Sequence, residues 1–558
     1  MSGEKEVAIP NGVGGGGEDS FTEHSRKREA EEELSKAQRF IAGGGHILND
    51  LCGALWFSYF MLFMTKVVKM PDSSAAGLLL FGQVTDGIAT PIIGYATDKV
   101  SGLWPCKRDY GRCKSWHLLG VILVTITFPF IFSPAVGYSL YTDEWSKVSD
   151  LNKSIYYGVF IFFFQIGWAS TQISHLALIP KLSSDDFVRT EVLAIRYACT
   201  VLSNMSAYII AWIFLTLLGQ ETPNADECEV GDTNGATFNH IVLASVVLGL
   251  LLSILFHFFV VEKPDDFLLK KSPSTISVIQ LQPIENGKLM KEEDALKNGD
   301  AAAAEALLAP VTSPKKSSKK MNPLDWMKLP HYYAACFLYI ATRLATNLSM
   351  AYLPLYVQSS LDLSCGAVAF LPLIMYTSGF AVSIIIKPLN KWLGRQLAYT
   401  IGGALMLVSS LLIMFYASES QWGIYVIAIL LGGGSSAMLV TSLSVTADLI
   451  GDNVQSGAFV YGSMSLIDKI SSGLMVMLIS SLNPCTNVKD GCGDAPEGKT
   501  FYRDALGFSS GGFAIVGMIC ILIIKLLMMR KTRRNKGERL SSPLGIDGGL
   551  ETDVKSDK

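Results

Sequence analysis

The chain has 558 residues, of which 50% are hydrophobic and only 17% are charged, and its mean hydropathy is +0.35. This composition excludes an ordinary soluble domain and predicts a protein with several membrane-spanning segments. The net charge of −3 excludes little, because topology depends on where the charges fall along the chain.

Apolar segments of about 20 residues recur along the chain, and each is long enough to cross a hydrocarbon core of about 30 Å. Twelve such segments fall into two sets of six. The first set lies near 41–67, 75–97, 117–138, 155–178, 193–218 and 239–261. The second set lies near 331–357, 366–388, 397–418, 422–447, 458–482 and 507–529. The sequence therefore predicts an all-α membrane protein with twelve transmembrane helices in two six-helix bundles, at 41–261 and 331–529.

Three polar regions flank the two predicted bundles. They are an N-terminal tail (1–40), a linker (262–330) and a C-terminal tail (530–558) that contains the run RKTRRNKGER. Because Lys and Arg keep loops on the cytosolic side, we expect all three regions, and therefore both termini, to be cytosolic. The N-terminal tail and the linker lack a sustained apolar face, so we expect both to be disordered.

Two acidic residues lie within the first two predicted spans. Asp50 is roughly a third to half-way along the first span, and Asp86 is near the middle of the second. A charged side chain in hydrocarbon costs roughly 2.5–3.5 kcal/mol or more, so each should face the protein interior. Together they could hold a cation or share a proton, since close carboxylates resist ionising together. The alternative is that each is the structural partner of a buried base.

Three basic residues of the predicted spans are candidates for the site: Arg196, Arg343 and Lys469. Arg196 and Lys469 take similar places in the two halves, and either could receive a substrate carboxylate or neutralise an acid. Arg196 lies closer to the predicted cytosolic end, where it could reach the interface instead. Arg343 is a secondary candidate. Asp468 points roughly 100° away from Lys469 around the helix, so we expect it to serve a different neighbour.

The segment GWASTQISHLALIP (Gly167–Pro180) is unusually polar for a membrane span. Its Ser and Thr residues could simply bond to their own helix backbone, so only Gln172 and His175 become candidates for the site. His175 could titrate near neutral pH, and the alternative is a structural hydrogen-bonding role.

No arrangement typical of a soluble enzyme is present in the sequence. The GGGG and GGG runs lack the Lys-Ser/Thr ending of a phosphate-binding loop, and no paired Cys/His metal spacing occurs. We therefore expect no enzymatic activity, no cofactor or metal, and no nucleic-acid partner. The loop near 483–503 carries Cys485 and Cys492, which are close enough in sequence to form a disulfide in an oxidising lumen.

The loop after the second span carries a recognisable motif. It reads Gly94-Tyr-Ala-Thr-Asp98-Lys99 and, after an insertion, Tyr110-Gly-Arg112-Cys-Lys114. This pattern resembles the G-x-x-x-D-[RK]-x-G-[RK]-[RK] loop of the major facilitator superfamily, and the charged spans resemble its melibiose-permease-type cation symporters. The resemblance implies a gating role for Asp98, Lys99, Arg112 and Lys114.

The same resemblance also bears on the identity of the coupling ion. Asp50 and Asp86 match the first two cation-site acids of that branch, and Arg196 and Lys469 match its buried cations. The positions of the third and fourth acids of that cation site are occupied here by the neutral residues Thr90 and Gln172. Because sodium requires several hard oxygen ligands, the loss of two carboxylates favours a proton over sodium as the coupling ion.

Three longer blocks of the sequence resemble an animal family within this superfamily, the major facilitator superfamily domain-containing protein twelve family. The blocks are GWASTQISHLALIP, TSLSVTADLIG and SGAFVYGSMSLIDK. That resemblance implies a secondary transporter, with a monomeric transport unit, that imports cysteine from the cytosol into lysosomes and melanosomes and affects pigmentation. A lysolipid or other small-solute symporter and a transport-inactive scaffold or receptor are the alternatives.

The mechanism expected from these residues is alternating access around a site near the middle of the membrane. With no substrate bound, Asp86 and Lys469 would neutralise each other. A small zwitterion would then insert with its ammonium group toward Asp86 and its carboxylate toward Lys469 or Arg196.

Overall fold

The structure is a computed structural model. It describes residues 34–99, 110–135, 147–183, 186–218, 230–231, 234–262, 323–361, 363–416, 422–450, 454–484 and 496–540. Every regular element in these ranges is a helix, so the all-α membrane architecture predicted from the sequence is confirmed. The predicted bundle boundaries and cytosolic regions stay predictions.

Twelve long helices follow one another in the described ranges, and each overlaps one of the predicted spans. The first six are α1 (Lys36–Val67), α2 (Asp72–Lys99), α3 (Arg112–Ile131), α4 (Asp150–Leu182), α5 (Asp186–Leu218) and α6 (Gly235–Phe259). The last six are α7 (Pro330–Ser359), α8 (Cys365–Leu393), α9 (Arg395–Phe415), α10 (Gly423–Ile450), α11 (Val454–Ser481) and α12 (Pro496–Leu540). Of these described helices, ten are long and apolar enough to cross a membrane. The other two, α4 and α7, are long but more polar.

Helix α1 changes its winding along its length. It begins as an α-helix (Lys36–Gly43) and continues through a 3₁₀ turn (Gly44–His46). A second α-helix (Ile47–Leu62) follows and ends in a π turn (Phe63–Val67). The 3₁₀ turn coincides with the glycine run, where a Cβ atom on Gly45 would lie 2.6 Å from the Phe256 ring of α6. Glycine therefore allows α1 to approach its neighbours closely just before Asp50.

Small residues also bring the other helices together. A Cβ atom on Gly167 of α4 would lie 2.8 Å from Leu123 Cβ of α3. A Cβ atom on Gly402 of α9 would lie 2.9 Å from Ala437 Cβ of α10. Without a hydrophobic driving force between helices in lipid, such close backbone approach supplies much of the packing energy.

The described chain divides into two units. The first holds 34–56, 85–214 and 234–262, and the second holds 57–84, 215–218, 230–231 and the described residues from 323 to 540. Within the second unit, the start of α2 is held by the ends of α11 and α12. Asp72 Oδ2 accepts hydrogen bonds from Asn483 Nδ2 and from the Tyr502 hydroxyl, both at 2.7 Å.

Candidate functional site

Asp50 is a buried carboxylate of the first unit, and both of its oxygens are hydrogen-bonded. The residue is 7% exposed. Its Oδ1 lies 2.9 Å from His46 Nδ1, one helical turn earlier on α1. Its Oδ2 accepts a hydrogen bond of 2.9 Å from Thr200 Oγ1 on α5. The carboxylate is therefore held between two helices, with an imidazole that can exchange a proton with it.

Arg196 lies one turn before Thr200 on α5, so it faces the same region. Its guanidinium interacts electrostatically with the Asp50 carboxylate. Its Nε donates to His175 Nδ1 of α4 at 3.2 Å, and His175 Nε2 donates to the Ala42 carbonyl at 2.8 Å. Because His175 is fixed from both sides, Arg196 is anchored inside the protein rather than extended to an interface. An acid and a base thus lie near each other in the first unit.

The other candidates of the first unit make separate contacts. Asp86 is 4% exposed, and its Oδ1 accepts a hydrogen bond of 3.1 Å from Thr90 Oγ1, one turn later on α2. Gln172 accepts a hydrogen bond of 3.1 Å from Trp168 Nε1 on its own helix. The structure therefore brings Asp50, His175 and Arg196 together, while Asp86 and Gln172 each have a partner within one turn of their own helix.

In the second unit, Arg343 of α7 forms an ion pair with Asp468 of α11. Arg343 Nε lies 2.8 Å from Asp468 Oδ2, and the two side chains are 27% and 3% exposed. Asp468 Oδ1 also accepts hydrogen bonds from Asn347 Nδ2 at 3.3 Å and from Ser472 Oγ at 3.2 Å. Lys469, the next residue of α11, is half-buried. The ion-pair partner of Asp468 is therefore Arg343.

The predicted gating residues are only partly described. The side chains of Asp98 and Lys99 lie outside the described residues. Arg112 and Lys114 lie in the first turn of α3. Lys114 is 5% exposed, and its Nζ donates to the His257 carbonyl at 3.2 Å.

Glu262 joins the end of α6 to this region. Its carboxylate accepts from the Lys114 backbone N–H at 3.0 Å and from Lys181 Nζ at 3.1 Å. Gly111 adopts a φ of 103°, and a side chain there would collide with Glu262. Cys485 and Cys492, the candidate disulfide pair, lie outside the described residues.

Sequence reasoning missed the neutral and imidazole partners of the charged groups. They are His46, Thr200, Asn347 and Ser472. Each lies four residues from a charged residue on the same helix: His46 and Asp50, Arg196 and Thr200, Arg343 and Asn347, and Asp468 and Ser472. Side chains four apart share a helix face, so this spacing was the signal available in the sequence.

Known proteins share both sequence and fold with this chain. The family model described as MFS/sugar transport protein matches residues 42–296 and 325–530. The chain is 37% identical over 511 residues to the Homo sapiens protein called major facilitator superfamily domain-containing protein 12, covering 91% of this chain and 96% of that protein. The Equus caballus protein of the same name is 38% identical over 511 residues, covering 90% and 96%. A crystal structure of a D-xylose-proton symporter is similar with a TM-score of 0.56 and 13% identity, covering 87% of this chain and 96% of that one.

Proposed function

This chain belongs to the MFS/sugar transport protein family of secondary transporters, and from that premise we propose that it carries a small zwitterion, namely cysteine. The observation that carries the proposal is that Asp50 is hydrogen-bonded to Thr200, which lies one helical turn after Arg196 on α5. A free α-amino acid such as cysteine has an ammonium group and a carboxylate on the same carbon atom. An acid and a base on neighbouring helices match that charge pattern.

Each charged group has a physical reason to prefer its half of the substrate. The planar guanidinium of Arg196 suits a carboxylate, which it can bind through two parallel hydrogen bonds. Asp50 already accepts hydrogen bonds from His46 and Thr200, so its oxygens are oriented before a ligand arrives. An ammonium group would take the place of one of these donors. Preorganised partners lower the cost of ordering a small ligand.

The proposed coupling ion is a proton. Thr90 and Gln172 are neutral, and both are engaged in hydrogen bonds with Asp86 and Trp168. The protein therefore offers a sodium ion fewer carboxylate ligands than a cluster of four acids would supply. A proton needs only one carboxylate and a group that delivers it, and the pairing of Asp50 with His46 supports that role.

The proposed location is the membrane of lysosomes and melanosomes, with both termini in the cytosol and an effect on pigmentation. The support is the family resemblance together with the basic C-terminal run Arg530–Arg539, since positive charge keeps such segments cytosolic. The transport unit is proposed to be a single chain.

The test is uptake of radiolabelled cysteine by the purified full-length protein in proteoliposomes. The wild type should give saturable uptake that excess unlabelled cysteine removes. Asp50→Asn should lower that uptake by at least about tenfold, because the carboxylate is lost while the shape is kept. The matched control is Asp325→Asn, since Asp325 is 41% exposed and pairs with a surface lysine.

Three results would count against the proposal. Uptake by the wild type no greater than that of protein-free vesicles would favour a scaffold or receptor. Transport of a fluorescent lysolipid with no cysteine uptake would favour the lipid carrier. Equal uptake by Asp50→Asn and the wild type would remove Asp50 from the site.

A further inference from the structure

Four of the seven histidines of the chain lie together in the first unit. They come from four helices: His46 from α1, His117 from α3, His175 from α4 and His257 from α6. His46 is 5% exposed, and His117 and His175 are fully buried. The ring centroids of His117 and His257 are 4.9 Å apart, and those of His117 and His175 are 5.8 Å apart. Buried imidazoles in such proximity call for a chemical explanation, because each is costly to desolvate.

The hydrogen bonds of His117 and His257 run in one direction. His117 Nε2 lies 3.0 Å from the Gly45 carbonyl, which can only accept, so this nitrogen carries the proton. In a neutral ring, His117 Nδ1 is then an acceptor, and it lies 3.0 Å from His257 Nε2. His257 Nδ1 in turn lies 2.7 Å from the Tyr110 hydroxyl, which donates to it. A continuous chain of donors therefore leads from Tyr110 through two imidazoles to Gly45.

The inner end of this chain, at Gly45, is adjacent in sequence to His46, which bonds the Asp50 carboxylate through its Nδ1. Among the described residues, His46 Nε2 has no hydrogen-bond partner although it is buried. His46 interacts electrostatically with His117, and its ring is stacked on that of His175 at a centroid distance of 6.1 Å. One water molecule between His117 Nε2 and His46 Nε2 would complete the connection.

The outer end lies at the start of α3, on the predicted cytosolic side. Tyr110 is half-buried, and Lys114 Nζ sits 4.5 Å from the centre of its ring. Among the described residues, the ionisable groups around the chain are Asp50, Cys113, Lys114, His175, Lys181, Arg196 and Glu262. Lys181 forms an ion pair with Glu262 near the entrance, and Lys114 donates its backbone N–H to the same carboxylate and its Nζ to the His257 carbonyl.

We propose that Tyr110, His257, His117 and His46 form a proton path between the surface and Asp50. This inference rests on the proposed function, since it supplies the route for the coupling proton. Tyr110 passes its hydroxyl proton to His257 Nδ1 and regains one from solvent. His257 Nε2 passes a proton to His117 Nδ1, and the Nε2 proton of His117 leaves the Gly45 carbonyl and passes to the bridging water. That water protonates His46 Nε2, and His46 Nδ1 protonates Asp50 Oδ1.

Each ring in this sequence gains one proton and loses one, so a single proton moves in total. Rotation of the rings then restores the starting tautomers. Movement in the opposite direction follows the same bonds in reverse, with the proton leaving Asp50 and reaching solvent at Tyr110.

The test uses the full-length protein in proteoliposomes that contain a pH-sensitive dye. Proton flux is driven by a potassium diffusion potential with valinomycin, with and without cysteine, and cysteine counterflow is measured in parallel. His117→Gln keeps a donor for Gly45 but cannot carry a proton. We expect its proton flux to fall at least about tenfold, with loss of the solvent deuterium isotope effect. Counterflow should stay within about twofold of the wild type, because exchange needs no net proton transfer.

The matched control is His240→Gln, because His240 is exposed on α6 and its ring stacks only on Phe214 among the described rings. It should leave both fluxes unchanged. Should His117→Gln also lose counterflow, Tyr110→Phe decides the matter: retained counterflow with reduced proton flux supports the path, and unchanged proton flux overturns it.

Two further results separate this inference from the proposed function. Absent cysteine counterflow, with proton flux in the wild type that His117→Gln abolishes, would refute cysteine as substrate and leave the path standing. Proton flux in His117→Gln within about twofold of the wild type, or wild-type flux equal to that of protein-free vesicles, would overturn the path.

Discussion

Changing Asp468 to Asn should lower the free energy of unfolding, because it removes the negative charge that Arg343 faces in the second unit. The Asp468 side chain is only 3% exposed, and the Arg343 side chain is 27% exposed. Leaving one member of a buried ion pair without its partner costs about 3–5 kcal/mol. Since water reaches part of Arg343, we expect a cost near the lower end, about 3 kcal/mol.

The double variant Arg343→Met with Asp468→Leu removes both charges and keeps apolar volume. Replacing a buried pair in this way is often neutral for stability. The hydrogen bond of 3.0 Å between Asn347 and Ser472 also survives the change. We therefore expect the double variant to be more stable than either of its single variants, Arg343→Met and Asp468→Leu, with an interaction energy of up to about 3 kcal/mol.

The assay is thermal unfolding of each purified full-length variant in one detergent, with expression and monodispersity checked first. The order of the apparent melting temperatures should be wild type, then the double variant, then both single variants. An unchanged melting temperature for Asp468→Asn would refute this reasoning. So would a double variant no more stable than the weaker single variant, because the two charges would then not depend on each other.

Three other changes test separate parts of the structure. Gly432→Ala should destabilise the packing of α8 on α10 by about 1–3 kcal/mol or more, because its Cβ would overlap the Met375 carbonyl. Gly462→Ala is the matched control in the same thermal assay, since no described atom lies within 4 Å of its Cβ position. Tyr502→Phe removes a donor to Asp72 and should cost about 1.5–3 kcal/mol, and an unchanged melting temperature would show that this bond contributes little. Asp86→Asn tests the expectation from the sequence that Asp86 receives the substrate ammonium group: it should abolish cysteine uptake per correctly folded protein, and near-normal uptake would assign this acid a structural role.

The sequence predicted the fold well because hydropathy and length carry that information directly. Helices α4 and α7 were placed correctly even though they are the more polar ones. Their ends were placed less well: α4 covers Asp150–Leu182, where the apolar pattern indicated 155–178. Helices extend beyond the hydrocarbon core into polar surroundings, and hydropathy does not report that part. The resemblance to the superfamily, predicted from the motif after the second span, is confirmed.

The pairings within the site were harder to predict, and the reason is geometric. A charge inside an apolar segment is conspicuous, so Asp50, Arg196 and Arg343 could be singled out. Which of them meet depends on how each helix is rotated about its axis, and packing against neighbours sets that rotation. The bond between Arg343 and Asp468 joins residues that are 125 positions apart in the sequence, so no local sequence pattern predicts it. Thr200 was missed because Ser and Thr in membrane helices usually bond their own backbone, as Thr200 also does.

The most direct test of the central claim is uptake of radiolabelled cysteine into purified lysosomes from cells with and without this protein. We predict saturable uptake that depends on the protein, is restored by re-expression of the wild type, and is not restored by Asp50→Asn at equal abundance in the lysosomal membrane. Equal uptake in lysosomes with and without the protein, or full rescue by Asp50→Asn, would contradict the account.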